Sequence, residues 1–207
     1  NRLYPRLGTN DSSGNCESAV VHNNWIVSKS AKIYRFREHF MWMFDGENGY
    51  YSNSSQIYVT YNNRRPNISA NHKANTTLEI NALKAMLTVA FILNRVLILP
   101  RFHCGDKADQ CPLNSIMRVS KFDNVFSGMY RESTFLEHSK VPRSVKGSVY
   151  YADLLMKEKI ESLSGVRSSV TPEISSNVIT SLFAQNKHSV LDFRTYRMST
   201  RIDNEHE

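Results

Sequence analysis

Apolar residues recur at intervals of three and four in residues 30–43, while lysines and arginines occupy several of the positions between them. This spacing places the apolar side chains on one side of a helix and the charged side chains on the other. We therefore predict a helix over residues 30–43, with an apolar face formed by Ile33, Phe36, Phe40 and Met43.

A second amphipathic segment begins with Thr76-Thr77-Leu78-Glu79, the pattern of a capping box in which Thr76 is the N-cap residue. Apolar residues line one face from there to Asn94, which predicts a helix over residues 76–94. The fully apolar run 96–99 follows and stops at Pro100, as expected for a parallel strand buried on both faces.

Further strands are predicted where β-branched and aromatic residues are concentrated, at residues 56–61, 148–151 and 189–193. Residues 151–164 and 174–186 are predicted helices between the last two strands, and residues 122–126 are a further short element. The alternation of helices and strands predicts an α/β fold.

Composition changes sharply in the polar segment around Pro66, which indicates a linker. We expect residues 1–62 to be the C-terminal end of one domain. They should be followed by a linker at 63–75, an α/β C-terminal region at 76–199 and a polar tail at 200–207. The apolar stretch 82–100 is interrupted by polar and charged residues, which argues against a membrane span. Because the sequence begins with Asn1 and shows no signal peptide, we expect an upstream segment, including any membrane anchor, to be missing.

The chain is basic, with 26 Lys and Arg against 19 Asp and Glu and a net charge of +7. Such a surface attracts phosphates, acidic glycans, anionic lipid or nucleic acid. No run of Lys and Arg reaches five residues, and no nucleic-acid reader motif accompanies the charge. We therefore expect no nucleic-acid partner.

Four Asn-x-Ser/Thr sequons lie in polar stretches of the first 80 residues, which favours the lumen of the ER and Golgi. The predicted glycosylation sites are Asn10, Asn53, Asn67 and Asn75.

Three cysteines leave more than one arrangement open. Cys104 and Cys111 flank a short polar loop and can form a local disulfide in an oxidising compartment, which leaves Cys16 for a partner outside this sequence. The alternative is three reduced cysteines. A zinc site is disfavoured, because the paired spacing of structural zinc ligands is absent.

The segment with the most chemical information follows Val20-Val21. His22 comes directly after this apolar pair, Lys29 and Lys32 follow, and Arg35 precedes Phe36. A neutral imidazole at the end of a strand can bind a divalent cation, and nearby cations together with a helix N-terminus can bind a diphosphate.

The segment is similar to the closing motif of nucleotide-diphospho-sugar transferases, the group that includes plant and algal arabinosyl-, xylosyl- and galactosyltransferases. The family pattern is His-x-Asn-Trp-Ile/Val-x-Gly, followed by a Lys and an Arg-Phe pair. The matching residues are His22, Asn24, Trp25, Ile26, Lys32, Arg35 and Phe36, and Ser28 replaces the family's Gly.

A second part of the chain also resembles these transferases, from Leu83 to Pro100 and onward to Phe102, Cys104 and Cys111. The resemblance covers roughly Val20 to Leu113, about half of the chain. A helix followed by Leu-x-Leu-Pro also occurs in fucosyltransferase-like Rossmann domains, so this part is less specific.

The resemblance implies that residues 1–62 are the end of a GT-A domain, a Rossmann-like fold that binds a nucleotide sugar through Mn²⁺. His22 would then be the metal ligand, and Lys29, Lys32 and Arg35 would contact the donor phosphates. The sequence contains no Asp-x-Asp, so the acidic motif of the donor site would lie upstream, the fragment alone would be inactive, and no catalytic base can be assigned.

The implied function is metal-dependent transfer of a sugar to a hydroxyl of a glycan or glycoprotein. The full-length protein would be a type II membrane protein of the Golgi or ER, attached only through an N-terminal anchor. One alternative is a non-catalytic lumenal module that binds glycan or protein, which the missing Asp-x-Asp and Ser28 both favour. Another is a cytosolic phosphate- or nucleic-acid-binding protein, which fits the positive charge but leaves the sequons and the cysteine pair unexplained. Trp25 and Trp42 are expected to be core residues.

Overall fold

The computed structural model describes residues 27–61, 72–103, 110–152, 180–181 and 183–193. In these ranges the α-helices are α1 (Lys29–Glu38), α2 (His72–Ile92), α3 (Val119–Phe126) and α4 (Arg143–Gly147). The strands are β1 (Tyr58–Tyr61), β2 (Val96–Ile98), β3 (Phe102–His103), β4 (Gln110–Cys111), β5 (Tyr130–Arg131), β6 (Val149–Ala152) and β7 (Val190–Phe193). Short 3₁₀ helices span Leu113–Ser115 and Phe135–Glu137.

Five strands form one parallel sheet in the order β5-β2-β1-β7-β6. The chain builds one side of the sheet outward from β1 through β2 to β5, and then places β6 and β7 on the other side. The strand order therefore changes direction between β1 and β7, where α/β proteins commonly have a crevice at the carboxyl ends of the strands. The α/β class predicted from the sequence is confirmed, whereas assignment to the GT-A fold stays a prediction.

Hydrophobic side chains cover both faces of this sheet. In β2, Leu97 packs into a core cluster with α1, α2 and α3, while Val96 and Ile98 pack on the opposite face with Phe135. Every residue of β2 is buried, as expected for a fully apolar parallel strand.

β1 is the central strand, and residues on both sides of the predicted linker share its core. Tyr58 lies opposite Val96 of β2 and Val190 of β7. Tyr34 of α1 and Leu83 of α2 belong to the same cluster of buried residues. In chain order, the predicted linker 63–75 therefore separates β1 from β2, which are neighbours in one sheet.

α1 is shorter than the predicted helix and ends at Glu38. Phe40 has a φ of 58°, and the Met41 amide donates to the Phe36 carbonyl at 2.8 Å, which is the Schellman arrangement that closes a helix. The helical spacing continues to Met43, but this left-handed residue stops the helix first. Met43 and Phe44 are exposed as a result.

α2 begins at His72, so the prediction of Thr76 as its N-cap is wrong. Glu79 does not cap an exposed helix end but is fully buried within α2. The predicted end of the helix is close to the observed one. Asn94 has a φ of 50°, and the Arg95 amide donates to the Ala90 carbonyl at 2.9 Å, again closing the helix.

Cys111 lies in β4, which pairs antiparallel with β3 so that Phe102 is opposite Cys111. Cys111 is disulfide-bonded. Its pairing with Cys104 stays a prediction because Cys104 and Cys16 lie outside the described residues. In the described part of the chain, no helix combines the length and apolar character needed to span a membrane.

Candidate functional site

An open concavity lies at the N-terminus of α1 and contains two of the residues predicted to bind phosphate. Its volume is about 450 Å³, and it is lined by Ser28, Lys29, Lys32, Ile33, Phe36 and Trp42. Lys29 and Lys32 are three residues apart on the helix, so both side chains lie on the same side. Arg35, the third predicted phosphate ligand, is on α1 but does not line the concavity.

Ser28 caps α1 from an unusual backbone conformation. Its Oγ accepts a hydrogen bond from the Ala31 amide at 3.2 Å, while its φ and ψ are 89° and 148°. Only glycine adopts this region without strain. The serine at this position is therefore under backbone strain.

The lining of the concavity combines two basic side chains with apolar and aromatic ones. The first turn of α1 contains no acidic residue, and a helix N-terminus carries a partial positive charge. Phe36 and Trp42 stack with ring centroids 6.5 Å apart and an interplanar angle of 12°. Trp42 is therefore partly exposed at the concavity and not the core residue expected from the sequence. Together these groups can bind an anion that carries a flat or apolar substituent.

Several predicted site residues cannot be placed. His22, Cys104, Asn10 and Asn67 lie outside the described residues. Within the described ranges, no group of three or more His, Cys, Asp or Glu side chains could hold a metal ion. The described residues alone therefore do not fit Mn²⁺, and the metal role of His22 stays a prediction.

The two sequons within the described ranges have different surroundings. Asn53 lies in a turn, where its Oδ1 accepts hydrogen bonds from the amide of Ser55 at 3.0 Å and its hydroxyl at 2.7 Å. Asn75 lies in α2, within a turn of the start of the helix.

A carboxyl cluster lies at the other end of α1 and was not predicted; in it Glu38 is partly buried and Glu132 is fully buried. Glu38 is the last residue of the helix, and its Oε1 accepts hydrogen bonds from Tyr34 Oη and Ser133 Oγ, both at 3.3 Å. Glu132, directly after β5, is 1% exposed, and its Oε2 accepts a hydrogen bond from Tyr50 Oη at 2.6 Å. Two carboxyl groups that are distant in sequence thus interact electrostatically where Glu38 of α1 contacts Ser133, two residues beyond the end of β5.

Two arginines and a tyrosine enclose Glu132. The Arg37 guanidinium carbon lies 3.5 Å from the centre of the Tyr50 ring, and that of Arg131 lies 4.2 Å from it. Arg131 is 8% exposed and donates to the carbonyls of Gly128 and Tyr130. Cation–π contact compensates part of the cost of burying these charges.

Burial dominates the proton affinity of both carboxyl groups. Burial raises the pKa of Glu38 from 4.5 to about 7, with hydrogen bonds from Ser133 and Tyr34 opposing the rise and the charge of Glu132 adding to it. Burial also raises the pKa of Glu132, against the hydrogen bond from Tyr50 and the charges of Arg37 and Arg131. A carboxyl group that titrates near neutral pH at such a position can accept or release a proton.

Comparison of the chain with protein-family models, curated proteins and solved structures finds no match.

One sequence signal could have indicated the carboxyl cluster. The polar run Arg131-Glu132-Ser133-Thr134 follows Tyr130 directly, and polar residues at the end of a strand often form sites in α/β proteins. Because Tyr130 and Arg131 form a strand of only two residues, the sequence does not mark β5 as a strand.

Proposed function

We propose that this chain is part of a glycosyltransferase that takes its sugar from a nucleotide-diphosphate donor, and that the concavity at the N-terminus of α1 binds the donor's diphosphate. The observation that carries the proposal is the meeting of Lys29 and Lys32 with the positive end of the helix in one open concavity. The acceptor would be a hydroxyl of a glycan or glycoprotein. The Golgi or ER lumen remains the proposed location.

The chemical role of these groups follows from the leaving group. Cleavage of the bond between sugar and diphosphate leaves negative charge on the diphosphate, and fixed positive groups lower the free energy of that charge. Lys29 and Lys32 would supply formal charge, and the helix amides would supply oriented dipoles. The stacked Phe36 and Trp42 offer an apolar surface beside the phosphates. Participation of Mn²⁺ with His22 is supported by the sequence pattern alone.

The test is binding of uridine diphosphate and guanosine diphosphate, measured by calorimetry with and without Mn²⁺. We expect Lys29→Ala/Lys32→Ala to weaken binding at least tenfold. Matched single controls are Lys84→Ala and Lys187→Ala, because both lysines are exposed and lie outside the concavity. Unchanged affinity in the double variant would exclude the concavity as the phosphate site.

The role of the metal needs a separate arm. His22→Ala should weaken binding only when Mn²⁺ is present, and binding should resist added salt better with Mn²⁺ than without it. If affinity collapses with salt irrespective of Mn²⁺, the interaction is a nonspecific one between phosphate and a basic surface.

A second candidate function is a non-catalytic module that binds a protein or glycan. Exposed apolar side chains close in sequence to Ser28 and Trp42 of the concavity favour it, since Val27 is 89% exposed and Phe44 is 69% exposed. In that case Phe36→Ala and Phe44→Ser would reduce partner binding, whereas the lysine variants would have little effect.

A further inference from the structure

Glu38 joins the last turn of α1 to the residues after β5 through both its side chain and its backbone. Its Oε1 accepts hydrogen bonds from Tyr34 and Ser133, and its carbonyl accepts one from Thr134 Oγ1 at 3.1 Å. The last four carbonyls of a helix have no partner within the helix, and that of Glu38 is one of them. Thr134, which directly precedes the 3₁₀ helix Phe135–Glu137, therefore caps α1. Among the described residues, Oε2 of Glu38 makes no hydrogen bond.

The surroundings disfavour a negative charge at this position. Glu38 lies at the negative pole of α1, next to the buried carboxyl group of Glu132. Arg101, which follows β2, favours the charge, but its side chain is 45% exposed and is paired with Glu137 at 3.4 Å. The titratable and charged groups that face the two carboxyls from α1, β5 and the adjoining segments are Tyr34, Arg37, Tyr50, Tyr51, Arg101, Tyr130 and Arg131.

The two hydroxyl donors do not reverse this preference. Hydrogen bonds from Tyr34 and Ser133 stabilise the ionised form of Glu38, but at 3.3 Å both are longer than the usual 2.7–2.8 Å between oxygens. Glu38 is partly buried, so folding removes part of the water around its carboxylate, and neither hydroxyl is a strong replacement for that water. The folded arrangement therefore suits a protonated Glu38.

We propose that Glu38 is a proton-operated latch, which holds the last turn of α1 against the carboxyl end of β5 when protonated and releases it when ionised. The ionised carboxylate lowers its free energy by moving away from Glu132 into water or toward Arg101. The amides of Phe40 and Met41, which close the helix on Arg37 and Phe36, would then exchange faster. This device does not depend on the ligand proposed for the concavity.

Trp42 reports on the latch because it lies four residues after Glu38 and stacks on Phe36 of the same helix. Its indole Nε1 is buried. The chain has two tryptophans, so Trp25→Phe leaves Trp42 as the single tryptophan. The experiment records Trp42 emission of this variant from pH 5 to pH 9 and compares it with Glu38→Gln in the same background.

We expect the parent to show a transition with a midpoint near pH 7, and Glu38→Gln to keep the low-pH signal throughout. Glu132→Gln should move the midpoint to lower pH, because it removes a neighbouring negative charge. Glu47→Gln is the matched control, since Glu47 is exposed, and His39→Asn tests whether the adjacent imidazole produces the signal.

A second readout does not depend on any substitution at Glu38. Amide exchange of Phe40 and Met41, corrected for the intrinsic effect of pH, should accelerate at least tenfold between pH 6 and pH 8.5. A transition that persists in Glu38→Gln would overturn the latch. So would a parent protein in which neither the emission nor the corrected exchange changes over this range.

Discussion

Replacement of Arg95 by methionine tests whether one buried guanidinium holds the central strand of the sheet to its neighbour. Arg95 is 5% exposed and lies between α2 and β2. Its Nη1 donates to the carbonyls of Tyr58 at 3.1 Å and His188 at 2.9 Å, and its Nη2 donates to that of Asn186 at 2.6 Å. Because Tyr58 begins β1 and the other two precede β7, these bonds join the strands where their order reverses.

The expected cost follows from these three bonds. A hydrogen bond from a charged donor contributes about 1.5–3 kcal/mol, and a buried carbonyl left without a partner costs about 1–3 kcal/mol. His188 is exposed, so water can replace the lost donor at that end. Methionine also recovers part of the packing of the arginine stem. We therefore expect the free energy of unfolding to fall by about 3–4 kcal/mol.

Urea denaturation followed by circular dichroism measures this loss. With a denaturant slope of about 2 kcal/mol/M, the midpoint should fall by about 1.5–2 M. Arg101→Met is the matched control, because its ion pair with Glu137 is exposed and should contribute less than about 1 kcal/mol. If Arg95→Met costs no more than Arg101→Met, the three carbonyl contacts do not stabilise the sheet.

Three other predictions follow from local geometry. Ser28→Gly should raise the free energy of unfolding by about 0.5–1 kcal/mol, because the strain at a φ of 89° exceeds the small loss of the serine cap; a lower urea midpoint would contradict this. Glu38→Gln should stabilise the protein by about 2–3 kcal/mol at pH 8.5 and by little at pH 4.5. The pKa of Glu38 is raised from 4.5 to about 7 in the folded state, so its stabilising contribution is complete below pH 4.5 and is lost as pH rises through 7. Urea midpoints of parent and variant at both pH values measure this, and a difference that does not vary with pH would reject it. Asn53 lies in a turn and Asn75 lies in α2, so a eukaryotic secretory pathway should glycosylate Asn53 to higher occupancy. Peptide mapping after glycosidase treatment measures this, and equal occupancy would contradict the expectation that the turn favours glycosylation.

The sequence predicted those strands in which consecutive residues all favour a strand. The strands β1, β2 and β7 coincide with runs of β-branched, aromatic or aliphatic residues, and the structure confirms them. β5 was missed because Tyr130 and Arg131 form no such run, and it is recognisable only through its pairing with β2. The end of α1 was misplaced because periodicity does not reveal that Phe40 adopts a left-handed conformation.

The concavity at the N-terminus of α1 and the carboxyl cluster at its other end differ in the same way: a local pattern predicts the first but not the second. Lys29 and Lys32 belong to one helix, so their spacing alone predicts that they lie together. Glu38 and Ser133 are 95 residues apart and meet only through the packing of α1 against the end of β5. No local pattern contains that information, and the raised pKa of Glu38 depends on burial, which only the fold defines.

Both sites lie on α1, and the electrostatic energy between them predicts how strongly one influences the other. Lys29 and Glu38 are separated by about 14 Å along the helix. A diphosphate with three negative charges at that distance from a carboxylate interacts by about 0.9 kcal/mol in water, and salt with a Debye length of about 8 Å reduces this to about 0.2 kcal/mol. That corresponds to a change of about 0.1 in the midpoint of the Trp42 transition.

A larger effect would need movement of the helix as a rigid body. Ala31 and Tyr34 oppose this movement, because both are buried in the core and fix the N-terminal part of α1 when its last turn is released. We therefore expect saturating uridine diphosphate to shift the midpoint by less than about 0.2 pH unit. A shift of one unit would show that α1 moves as a whole, and by reciprocity the affinity for the diphosphate would then change about tenfold across the transition.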